Sequence, residues 1–104
     1  MQQDVQPLRE RLNLETGRIG WQEMQRHFAR GAVVRVAAEL DLVEVAACMA
    51  ADDRERFMPW FASGQVARAG TEDAEGWNRR QSAFWAVVVA PWLLVQEIDS
   101  PPQP

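Results

Sequence analysis

The stretch Phe84-Trp85-Ala86-Val87-Val88-Val89-Ala90-Pro91-Trp92-Leu93-Leu94-Val95 decides the fold, because the rest of the chain has to cover it. It carries no charge and no hydroxyl, and its β-branched and aromatic content is that of a strand. Both alternating faces are apolar: Phe84, Ala86, Val88 and Ala90 on one, Trp85, Val87 and Val89 on the other. Such a strand is either sandwiched in a core or covered by a partner. The run falls short of the about 20 apolar residues that a membrane span needs, and Pro91 interrupts it. The reading is a buried strand from Phe84 to Ala90, a bend at Pro91, and an edge segment from Trp92 to Val95.

Upstream, helix signals dominate. Asp4 can cap a first helix with Pro7 in its first turn and Val5, Leu8 and Leu12 on one face; Asn13 to Gly17 ends it. A second helix starts at Gly20, with Glu23 three residues on, Ile19 and Met24 at staple spacing, and Trp21, Met24 and Phe28 as its buried stripe. Gly31 is placed to close it in the left-handed conformation. Gly17 to Gly20 reads as a turn between the two helices, since it lacks the spacing of a phosphate loop.

Val33 to Ala37 reads as a short strand. Asp41 with Glu44, and Leu40 with Val45, mark the start of a third helix whose core face is Leu42, Val45, Ala46 and Met49. A fourth helix follows, capped by Asp52 or Asp53, with Phe57, Trp60 and Phe61 as its apolar stripe and Gly64 as its stop. Pro59 inside it predicts a kink or a later start, because an interior proline removes a backbone bond at a cost of about 3 kcal/mol. Gln65 to Ala69 reads as a strand. Thr71 is the predicted cap of a short fifth helix that buries Ala74 and Trp77 and is weakened by Gly76.

These elements predict an α+β fold: a small, mostly antiparallel sheet packed with four to five helices. The order helix, strand, helix, helix, strand, connector, strand matches a winged-helix domain, with a helix-turn-helix at residues 41–63. We expect one globular domain over residues 1–98 and a disordered proline-rich tail over 99–104, where Pro101, Pro102 and Pro104 crowd six residues.

Several blocks resemble one known family. Leu12-Asn13-Leu14-Glu15-Thr16, Trp21 through Phe28-Ala29-Arg30-Gly31, Leu40-Asp41-Leu42-Val43-Glu44-Val45-Ala46 and Trp85-Ala86-Val87-Val88-Val89-Ala90-Pro91-Trp92 together resemble the bacterial domain of unknown function 2288 family. Phe57-Met58 and Pro59 depart from the pattern. The resemblance implies a small stand-alone bacterial protein and brings no activity with it.

Composition excludes several classes of function. The 104 residues are 47 % hydrophobic, enough for one core. A net charge of −4 argues against a phosphate-backbone surface and against docking on anionic lipid. Cys48 is the single cysteine, so no intrachain disulfide forms, and with the single His27 it cannot make up a four-ligand zinc site. No cofactor motif is present. Met1 to Asp4 has no basic segment followed by an apolar one, which makes a cytoplasmic protein the expectation.

Two sets of residues merit consideration as sites. Glu23 and His27, four apart on a helix, have the spacing of an acid–base pair and equally that of a surface salt bridge; with no nucleophile linked to them, the salt bridge is the preferred reading. Cys48, beside the apolar stripe of its helix, reads as a small core residue. The five tryptophans are the stronger signal, since a chain of this length struggles to bury all of them together with four phenylalanines. Trp and Arg are favoured at interaction hot spots. Phe57 and Trp60 on the proline-bearing helix, and Trp92 after Pro91, are the candidate interaction surface.

The sequence therefore predicts a non-catalytic module that binds another protein or itself, as a homodimer. The runner-up is a winged-helix regulatory or nucleic-acid-associated module. Its recognition helix would begin Asp52-Asp53-Arg54-Glu55-Arg56, too acidic at the end that should meet DNA.

Overall fold

The computed structural model describes residues 5–98, with side chains from Pro7 onward. The expected cap at Asp4 and the tail at 99–104 lie outside the described residues. The elements in chain order are α1 (Val5–Glu15), β1 (Gly17–Gly20), α2 (Trp21–Ala29), β2 (Val33–Val36), α3 (Leu42–Ala50), α4 (Arg54–Ser63), β3 (Val66–Arg68), α5 (Thr71–Arg80), β4 (Ala83–Val89) and β5 (Trp92–Glu97). They form an α+β fold around one five-stranded sheet of order β1-β4-β5-β2-β3. Three of its four pairings are antiparallel; β2 and β5 run parallel.

The opening stretch is a hairpin. β4 and β5 pair from Val89–Trp92 to Phe84–Glu97, turning at Ala90 and Pro91 across a cis peptide bond. The segment expected at an edge is instead the central strand, lying between β4 and β2. Its residues explain why. Leu94 belongs to the core on one side of the sheet, Leu93 and Val95 to the core on the other, and only a central strand covered on both faces buries all three.

Helices supply that cover. On one face Leu12 of α1 and Leu42, Val45 and Ala46 of α3 pack with Val34, Val36, Val66, Val87 and Leu94, and α4 lies outside them. On the other face Trp21 and Met24 of α2 and Trp77 of α5 pack with Val33, Phe84, Ala86, Leu93 and Val95. Trp77 meets Phe84 edge-on at 5.0 Å, and the indole N–H of Trp21 donates to Asn78 Oδ1 at 2.8 Å, joining α2 to α5.

Local signals place most of the helices. The Asp41 carboxylate accepts from the backbone N–H groups of Val43 and Glu44, and the Asp53 carboxylate from that of Arg56. Gly31 and Gly64 follow α2 and α4 with φ of 72° and 85°, a region in which a glycine is free of strain. At α5 the expected cap shifts by one: Thr71 is the first helical residue, and the Asp73 carboxylate accepts from the Gly70 N–H.

Gly17–Gly20 is a strand rather than a turn. It pairs antiparallel with Ala83–Ala86, and Ile19, half-buried, packs against the core beneath α2 and α5. The two helices expected within residues 41–63 are α3 and α4. The expected order had no strand at β1 and counted the run at 84–95 once, whereas the sheet has five strands with helices on both faces. No helix among the described residues is long and apolar enough to cross a membrane.

Candidate functional site

The fourth helix is set by the chain reversal before it. α3 ends at Ala50, Asp52 takes a left-handed φ of 56°, and the Asp53 N–H donates to the Cys48 carbonyl at 2.8 Å. Asp53 then caps α4, which starts at Arg54 and runs through Pro59. The carbonyl that loses its partner to Pro59 is that of Glu55; both residues are exposed, so water can satisfy it.

None of the ten residues of α4 is buried. Phe57 and Trp60, half-buried, lean on the α3-side core, with their rings edge-on at 6.4 Å. Phe57 also stacks on Phe61 at 6.3 Å. Phe61 and Met58 are about half exposed, at 51 % and 50 %. Together with Phe57, with Cys48 and Met49 at the end of α3, and with Asp52, Asp53 and Arg54, they line a groove of about 330 Å³. The rim carries both signs of charge: Arg54 lies 3.6 Å from Asp52, and Arg56 pairs with Glu44 of α3.

The structure brings the rings of Phe57 and Trp60 into contact, and Trp92 packs against the same α3-side core. Trp92 is half-buried at the start of β5, with the Arg68 guanidinium 5.4 Å from its ring centroid and Arg68 Nη2 donating to the Gly31 carbonyl at 2.8 Å. No ring contact joins it to α4 among the described residues. Of the other tryptophans, Trp21 and Trp77 are buried, and Trp85 is 44 % exposed on β4. Met58 and Phe61 were missed as surface residues. The signal was present, since positions 57, 58 and 61 share one side of a helix, but Phe61 read as core.

Glu23 is exposed and His27 half-buried on α2, and no ion pair or hydrogen bond joins them among the described residues. Cys48 is buried, and burial pushes its thiol above the ordinary value despite the nearby Arg56, the opposite of what a nucleophilic cysteine requires. Among the described residues no group of His, Cys, Asp and Glu is placed to hold a metal ion.

A second concavity, of about 450 Å³, lies on the other face of the sheet, between α5 and the C-terminal ends of the parallel strands β2 and β5. Arg35 Nε donates to Asp73 at 3.1 Å and Arg35 Nη1 to the Gly64 carbonyl at 3.3 Å. Arg80 donates to both oxygens of Glu97 at 2.9 Å, and Ser82 donates to the same carboxylate. Gly76 makes room for this: a Cβ there would sit 2.9 Å from Arg80 Nη1. Burial would push Glu97 up, but the hydrogen bonds from Arg80 and Ser82 and the Arg80 charge outweigh it and hold the carboxyl below its ordinary value. None of these contacts was legible in the sequence, because they join residues far apart in it with no shared motif.

A search of curated proteins returns no match. The chain is similar to PA1075 from Pseudomonas aeruginosa, whose solution structure was determined by NMR, with 42 % identity and a TM-score of 0.80 over 99 % of this chain and 95 % of that one. The pattern of the proteins of unknown function termed DUF2288 matches residues 7–97, nearly the whole described fold, and the chain belongs to that family.

Proposed function

We propose that the protein is an interaction module without catalytic activity, acting in the cytoplasm, and that it associates with a second copy of itself through α4. The observation that carries this reading is a ten-residue helix that buries none of its residues yet presents Phe57, Met58 and Phe61 along one side. Exposed apolar surface with a polar rim is the usual composition of a contact patch. A two-fold interface must be self-complementary, and a rim bearing Arg54 and Arg56 beside Asp52, Asp53 and Glu55 meets that condition better than a rim of one sign.

Nucleic acid has no comparable support. Arg54 and Arg56, the cations of α4, already pair with Asp52 and Glu44, leaving no basic face on the helix that a winged-helix protein would insert.

Sedimentation from low to high micromolar concentration tests the proposal. Wild-type protein is expected to dimerise, and the double variant Met58→Glu/Phe61→Glu to remain monomeric with unfolding stability changed by less than about 1 kcal/mol, since both side chains are half exposed. A wild-type chain that stays monomeric over that range, or a double variant that dimerises equally well, overturns it.

A further inference from the structure

We propose that the cleft between α5 and the ends of β2 and β5 binds a small oxyanion, a carboxylate or a phosphate, on Arg35 and Arg79. Hydrogen-bonding capacity in the cleft is unequal between acceptors and donors. The cleft's acceptors are largely spent within the protein: Glu97 takes hydrogen bonds from Arg80 and Ser82 on both oxygens, and Asp73 Oδ2 takes them from Arg35 and from the Gly70 N–H.

Its donors are not spent. A guanidinium offers five N–H groups. Arg35 commits Nε and one bond from Nη1, leaving Nη2 over. Arg79, which also lines the cleft, makes no ion pair or side-chain hydrogen bond among the described residues. The surplus is therefore of the kind that planar oxyanions satisfy in pairs. Arg35 is held from two sides, by α5 through Asp73 and by the end of α4 through the Gly64 carbonyl, so its remaining donors are already oriented. The volume of about 450 Å³ suits a small molecule.

Glu72 is the one carboxylate lining the cleft that has neither an ion pair nor a hydrogen bond among the described residues. It opposes an anion there and sets the sign of the second test below.

Titration followed by NMR, on the Nε–H signals of Arg35 and Arg79 and the indole N–H of Trp77, provides the test, with inorganic phosphate and malonate as separate probes and sodium chloride at matched ionic strength as control. The expected result is a saturable shift with at least one oxyanion. Arg79→Gln should weaken it about tenfold, and Glu72→Gln should strengthen it. Tighter binding of phosphate or of malonate identifies which oxyanion the cleft prefers. Shifts that match chloride, fail to saturate, or keep the same affinity in both variants overturn the proposal. Both substitutions are at exposed positions on α5, and unchanged signals from the rest of the chain verify the fold of each variant.

Discussion

Phe84→Ala is expected to destabilise the protein by about 4 kcal/mol, and Trp85→Ala, one position along the same strand, by no more than about 1 kcal/mol. Phe84 is completely buried, while Trp85 is 44 % exposed. The two side chains leave β4 on opposite faces. Phe84 enters the core in which α2 and α5 meet the sheet, with Trp77 edge-on against it and Met24, Val33 and Val95 in the same cluster. Truncation there removes the transfer energy of an aromatic ring and leaves a cavity bounded by two helices and a sheet, which collapse only in part. Domains of this size have about 5–15 kcal/mol of stability in all, so the variant should sit near the edge of folding. Trp85 lies opposite Arg18 of the edge strand β1, and truncation exposes little that is not already wet. Urea denaturation of the two variants, read by the loss of helical circular dichroism, checks both values. Comparable losses would show that the two faces of β4 are covered alike, contrary to the burial described here.

That contrast bears on what the sequence could reveal. The run from Phe84 to Val95 identified the centre of the fold, and its composition required cover on both sides, which the helices provide except at Trp85 and Val88, exposed at 44 % and 56 %. The end of the run that lies in the middle of the sheet was misplaced. Pro91 suggested an edge, yet proline forbids a ladder bond only at its own position, and here it sits in the turn while Leu93, Leu94 and Val95 carry the pairing. Helix starts were legible at Asp41 and Asp53 because capping is chemistry between near neighbours. β1 was not, since it holds a single apolar residue, Ile19, between glycines, and its strand character comes from its partner β4.

The same division holds for the sites. Phe57 and Trp60 were legible because an aromatic stripe on a helix is a local pattern, whereas whether it faces core or solvent depends on α3 and on the reversal at Asp52. Arg35 and Asp73 sit on different elements with α3, α4 and β3 between them, and no spacing rule connects them.

Glu97→Gln carries the second large effect, about 2 kcal/mol at neutral pH, and its dependence on pH separates charge from packing. Glu97 ends β5 and joins it to α5 through two hydrogen bonds from Arg80 and to the start of β4 through Ser82, a buried polar side chain. Its side chain is 28 % exposed, so solvent screens the pair only in part. Glutamine preserves the shape and one acceptor oxygen but turns an amide N–H toward the guanidinium or the hydroxyl, and it removes the charge that strengthens each bond. Because folding lowers the Glu97 pKa below its ordinary 4.5, the folded state favours the carboxylate. The contribution is therefore complete above the unfolded value and is lost as pH falls through the folded one. The stability gap between wild type and variant should be the same at neutral pH and at about pH 6, narrow once pH drops below about 4, and close in stronger acid. Denaturation across that range is the measurement. A gap that persists undiminished in acid would assign the effect to packing around the side chain. A gap that is small throughout would mean that Arg80 and Ser82 are held without the carboxylate, and that the end of β5 is fixed by Leu94 and Val95 alone.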